Sequence, residues 1–150
     1  MAGAKIHLDY DASTTIAALD YVSSRLDSDG RQLLLSHIGE YMVGSTRDRA
    51  ARQVDPDGRR WRALSPAYAR WKQKKRPGVP ILKFDNHMIG DQFTFQLDGD
   101  AAVDIGTNAI YGAKHQFGPP ARVWLGVSDE DDEEIVLITR DHLLAGLPES

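Results

Sequence analysis

His115 is the side chain with the widest chemical repertoire in this chain, and it sits in Tyr111-Gly112-Ala113-Lys114-His115-Gln116-Phe117-Gly118. Position 119 is Pro, so the helical i,i+4 pair that would let His115 share a metal ion is missing. No Ser or Cys lies beside it in the segment for it to activate as a base, although a partner from elsewhere in the fold stays open. Asp55-Pro56-Asp57-Gly58 opens like a calcium loop, but Arg59, Arg60 and Arg62 stand where later oxygen ligands would be needed. That segment reads as a turn. Asp98 and Asp100 are close in sequence but flank a tight, exposed Gly turn, where burial is not expected to perturb a carboxylate. Phosphate-binding Gly loops, HExxH and GxSxG are all absent. The expectation is no catalytic residue, no metal ligand and no cofactor.

Charge is distributed unevenly. From Arg47 to Arg76, eleven of the 18 Lys and Arg face three acids, a net +8; the total of −4 leaves −12 on the other 120 residues. Six of those acids run consecutively from Asp129 to Glu134. Opposite blocks in a small chain imply complementary faces, within the fold or between copies of it. Around Lys72, Lys74, Lys75 and Arg76 lie Trp61, Tyr68 and Trp71. Three uses fit that mixture: Tyr68 and Trp71 filling an inner helical face beneath solvated charge, a protein contact, or a nucleic-acid footprint. An acidic sequence pI of about 5.7 argues against a dedicated DNA binder. The acidic run could hold cations weakly, start a solvated helix, or meet the basic block of a neighbouring copy.

The elements that position these residues follow from periodicity. With 150 residues, 41% hydrophobic and 27% charged, the chain is expected to form one globular domain over 1–150. It has no Cys, which excludes thiol chemistry and suits a reducing cytoplasm. No apolar run is long enough for a membrane span, and no membrane partner is expected. Lys5–Tyr10 alternates like a strand. Ser13 or Thr14 can cap a helix with Ile16, Leu19, Val22 and Leu26 on one face, broken at Asp29-Gly30. A second helix should run from Leu34 to about Gln53, its second half exposed or awaiting a partner, because the apolar stripe ends near Val43. Ser65-Pro66 opens a third helix to about Lys74, and a short one follows at about 85–91. Residues 92–97 and 101–105 form a hairpin around Asp98-Gly99-Asp100, and 122–127 could supply another strand or an extended segment. Ser128 caps a last helix whose acids occupy the favourable first turn. The fold class is α+β: a small, mainly antiparallel sheet with a central hairpin packed against several helices, with 5–10 and 122–127 as candidate further strands.

Two segments carry a family resemblance. Asp104-Ile105-Gly106-Thr107-Asn108, Tyr111 to Gly118 and Pro120-Ala121-Arg122 together form "IGTN…YGAKHQFG…PAR". Upstream, Val54 to Trp61 with Leu64-Ser65-Pro66-Ala67-Tyr68 forms "DPDG-x-x-W…LSP-x-Y" before a Lys/Arg run. The ordered set resembles the virion morphogenesis, or tail completion, proteins of Mu-like and related tailed phages, from about Ile16 to Leu144. It departs from that pattern in the short link between "HQFG" and "PAR", which holds only Pro119, and in Val123-Trp124-Leu125-Gly126 where "P-F-LG" is usual. The resemblance implies a structural virion protein at the head–tail neck, assembled in the host cytoplasm, completing or terminating the tail. It also implies an oligomeric ring, by analogy hexameric, between tail tube and head connector, with non-specific contact to passing DNA. The implied interface residues are Arg47, Arg49, Arg52, Arg59 and Arg60 toward acidic surfaces, Tyr111, His115 and Arg122 in the motif, and Phe117 and Trp124 as apolar anchors. A capsid assembly factor, a nucleic-acid-binding accessory protein using Arg47–Arg76, and an unrelated cytoplasmic enzyme are the alternatives.

Overall fold

The computed structural model describes residues 11–83 and 85–147. The candidate strand Lys5–Tyr10 lies outside the described residues. Among the described residues there are five α-helices and one β-hairpin: α1 (Ser13–Ser24), α2 (Ser28–Arg52), α3 (Pro66–Lys75), β1 (Phe93–Asp98), β2 (Ala102–Thr107), α4 (Gly112–Phe117) and α5 (Asp129–Leu144), with a π turn at His87–Asp91 before β1. This is the expected α+β architecture.

Local chemistry explains most boundaries. Asp11, not Ser13, meets the start of α1, its carboxylate accepting from the Ser13 amide at 2.9 Å. The break before α2 comes earlier than Asp29-Gly30. Asp27 is the N-cap, accepting from the Gly30 amide at 2.7 Å, which places Asp29 and Gly30 inside the first turn. Arg49 and Arg52 lie in the last turn of α2, where the helix dipole favours cations. Ser65 caps α3 with Pro66 in its first turn.

β1 and β2 pair antiparallel in the register Phe93↔Thr107, Phe95↔Ile105, Leu97↔Val103. Those six residues share one face, which α2 covers. The closest approach is at Gly39, where a Cβ would stand 2.5 Å from the Phe95 ring. Beneath the hairpin, Val43, Ala50, Trp61, Met88, Ile89, Phe93, Ala109 and Trp124 form the core. Phe93 and Trp124 meet edge to face at 5.4 Å, a geometry worth about 0.5–1.5 kcal/mol beyond area burial.

Two expectations need correction. The second half of α2 is neither exposed nor unpartnered: Thr46, Arg49 and Ala50 are buried, and α5 packs against the helix. Residues 122–127 are not a strand, and among the described residues the sheet has two strands. A side chain supplies what a neighbouring strand would. The Gln116 amide oxygen accepts from Trp124 N and Leu125 N, each at 3.1 Å, and its nitrogen donates to Leu125 O at 2.9 Å.

The contact at Gly39 gives a paired test. Gly39→Ala is expected to lose about 1–3 kcal/mol through overpacking against Phe95. Gly44→Ala, on the same helix with no described neighbour within 4 Å of the added carbon, should gain up to ~1 kcal/mol from helix propensity. Urea denaturation of the two variants checks the difference in sign.

Candidate assembly surface

Behind the surface lies a polar frame, and Asp131 is its centre. Asp131 is the third residue of α5 and closes a capping box with Ser128: Ser128 N donates to its carboxylate at 2.8 Å, and Asp131 N donates to Ser128 Oγ at 3.1 Å. The same carboxylate accepts from Tyr41 OH at 3.0 Å, from Ser45 Oγ, and from Arg49 Nη1 in an ion pair. Arg49 is 3% exposed and Asp131 0%. The guanidinium also donates to Gly126 O at 2.7 Å and Thr46 Oγ1 at 3.2 Å. Burial pushes the Asp131 pKa up, but bonds from Ser45 and Ser128 and the Arg49 charge outweigh it, leaving the carboxyl below its ordinary 3.8. Tyr41 moves the other way, raised by burial and by its bond to Asp131.

The motif residues build a second frame. Arg122, buried, donates through Nε to Arg62 O at 2.7 Å and through Nη2 to Ala63 O at 3.0 Å. Its amide donates to His115 O at 2.8 Å. Trp61 Nε1 reaches Val123 O at 2.7 Å, and Trp124 Nε1 reaches Gly112 O at 3.3 Å. Gly112 is required where it stands, because a Cβ there would meet the Thr107 methyl at 2.6 Å. Arg47 gathers Ile89 O, Gly90 O and Phe93 O at 3.0–3.2 Å, closing the π turn onto β1.

The ten sequence-selected residues therefore separate. Arg49, Arg122 and Trp124 are inside the subunit and hold its elements together. Arg47 reaches the surface, but its donors are engaged by backbone. Arg52, Arg59, Arg60, Tyr111 and Phe117 are exposed, and Arg59 pairs with Asp57 at 3.0 Å on the surface. His115 is half-buried with its ring edge to Tyr111; burial, then the Arg122 and Lys114 charges, lower its pKa from 6.5. Ile110, which periodicity did not mark, is 96% exposed, and Phe117 is 80% exposed. In α3 the buried residue is Lys72, not Tyr68 or Trp71. Its ammonium donates to Pro80 O, burial lowers its pKa, and the two aromatic rings lean on each other at the surface, 5.4 Å apart.

Between α3, residues 81–83 and 85–88, and α4 lies a cleft of about 710 Å³. Leu64, Ile81, Leu82 and Met88 line it with Tyr68 and Tyr111, while Lys83 and Lys114 carry positive charge to its exposed margin. Among the described residues, no group of three His, Cys, Asp or Glu is placed to hold a metal ion, and no helix is long and apolar enough to cross a membrane.

The sequence model of the phage virion morphogenesis family matches residues 13–144, the span from the first residue of α1 to the last of α5. The chain belongs to that family. No curated protein and no solved structure matches it. Membership gives it a role in building the phage virion, in association with the particle. The "YGAKHQFG…PAR" segment that carried the resemblance acts here chiefly as a clamp, through Gly112, Gln116 and Arg122.

Removing one partner of a buried pair strands the other, so Asp131→Ala should cost about 3–5 kcal/mol. Chemical denaturation reads it. Both depressed groups, Asp131 and His115, take up protons more readily in the unfolded chain. Their contributions are complete above the unfolded pKa values and are lost as pH falls through the folded ones. Stability should therefore decline below about pH 6.5 as unfolded His115 protonates, and further below about pH 4 as Asp131 does. His115→Gln should flatten the first decline and leave the second; pH-dependent denaturation midpoints check it.

Proposed function

We propose that the chain is a structural virion protein acting at the head–tail neck. There it completes or terminates the tail and joins it to the head as a homo-oligomeric ring. Its neighbours on this reading are the tail tube on one side and the head connector on the other, with DNA passing through the ring and touched without sequence preference. Membership of a virion morphogenesis family supports the reading at its coarse level.

One observation carries the finer level: the isolated subunit leaves an unfinished surface. α1 has apolar residues at helical spacing yet buries none of them, with Ile16 and Leu19 exposed. Ile110 and Phe117 are exposed at the two ends of a motif in which Gly112 and Gln116 are committed to the fold. Exposed apolar side chains that share one helix face, as Ile16 and Leu19 do three residues apart, are candidates for a contact surface. Exposed Arg52 and the DPDG turn lie near the exposed acids Asp129 and Glu130 at the start of α5, and exposed Arg59 and Arg60 follow that turn in sequence. A subunit carrying both signs of charge suits heterologous contacts, which close into rings.

A phage lacking this chain is expected to accumulate filled heads and separate tails, and wild-type protein supplied in trans should restore joining. Joined particles at normal yield in its absence would contradict the neck role. Phe117→Asp should leave the fold within about 0.5 kcal/mol of wild type, being a surface change. It should reduce infectious particles about tenfold or more, the equivalent of ~1.4 kcal/mol lost at one contact. Plaque titre beside a denaturation curve separates the two effects.

A further inference from the structure

The cleft between α3 and α4 has two chemistries. Its floor combines apolar Leu64, Ile81, Leu82 and Met88 with buried Lys72 and Arg122, whose cations bond to backbone carbonyls, and its exposed margin is cationic through Lys83 and Lys114. The lining acid, Asp85, is engaged by Arg76 at 2.8 Å. An occupant must therefore bring apolar side chains with acids beside them, on a shape that fits a groove.

The outer face of α5 has that composition. Its inward side, with Asp131 and His142 buried, packs on α2 and reaches Arg25 at the end of α1. The opposite side exposes Asp129, Glu133, Val136, Leu137 and Arg140, spaced at four, three, one and three residues, which is one stripe of a helix. Val136 is 66% exposed, a high value for a β-branched residue in the middle of a four-turn helix. The acids come first along the stripe and the apolar pair follows. Glu130 and Asp132 extend the negative end. Cleft and stripe use separate residues of the same chain, so one copy can offer its stripe to one neighbour while its cleft receives the stripe of another.

We propose that the cleft between α3 and α4 receives the outer stripe of α5 from a neighbouring copy. Val136 and Leu137 enter the apolar part of the floor, and Asp129 and Glu133 meet Lys83 and Lys114. This is a helix-in-groove contact, and its head-to-tail sense generates a ring or a helical stack. The inference rests on the neck reading above, because it needs copies side by side in the particle.

Cross-linking in assembled particles tests it. The chain has no Cys of its own, so two differently tagged copies, Lys114→Cys and Glu133→Cys, can be co-expressed during infection. Purified particles are then treated with a bismaleimide, which tolerates a looser approach than a disulfide. A covalent dimer carrying both tags is expected. The pair Lys114→Cys with Asp104→Cys, on the uncovered hairpin face, should give none. Both tagged chains present in particles without a mixed dimer would overturn the inference and leave the neck reading standing. Both chains absent from particles would overturn the neck reading, and the inference with it. A charge exchange adds a second arm. Lys83→Glu with Lys114→Glu should cut joined particles at least about tenfold. Adding Asp129→Lys and Glu133→Lys to the same chain should restore them, and no restoration would overturn the pairing.

Discussion

The Arg49–Asp131 pair is the constraint on which the arrangement of helices depends. Two opposite charges removed from water need nearly every donor and acceptor filled to be tolerated. Here Asp131 takes Tyr41, Ser45, Arg49 and the Ser128 amide, and Arg49 takes Gly126 O and Thr46. These partners come from three turns of α2 and from the entry to α5. Shifting α5 by one turn would break the set together. The pair therefore supports one relative placement of α5 on α2 more than it adds net stability, since an apolar pair of similar volume could hold the helices equally well.

That placement decides which charges remain for other molecules. Arg49 and Arg122 turn inward, Arg47 closes a turn, and Lys72 caps a carbonyl across the base of the cleft. From the acidic run, Asp131 turns inward and the residues on either side of it stay out. The segregation of charge along the sequence thus has two uses: one cation and one anion bind the fold at its centre, and their neighbours give the exterior its two signs. With α5 held by its inner face, its outer stripe stands clear of the subunit, and so does the cationic margin of the cleft.

Much of this was legible in the sequence where a local rule applies. Ser65-Pro66 marked α3, Asp98-Gly99-Asp100 marked the hairpin, and Ser128 before an acidic turn marked α5, because capping and turn chemistry act over a few residues. What was not legible is long-range. Arg49 and Asp131 are 82 positions apart, and nothing in an Arg-rich helix says which Arg goes inside. The second half of α2 read as exposed or awaiting a partner because its buried positions include Thr46 and Arg49, which carry no apolar period. The 122–127 segment stayed open between a strand and an extended segment, and a Gln side chain, not a neighbouring strand, fills its hydrogen bonds. The interface candidates divided for the same reason: residue type marked Trp124 and Phe117 alike as anchors, and packing put one in the core and left the other in solvent.

The most direct measurement is a side-chain-resolution image of the neck in intact virions. The account predicts copies of this fold in a closed ring between tail tube and connector, with Phe117 and Ile110 covered and the Arg49–Asp131 pair intact in every copy. A neck fully traced by other chains, with this fold absent from it, would contradict the account.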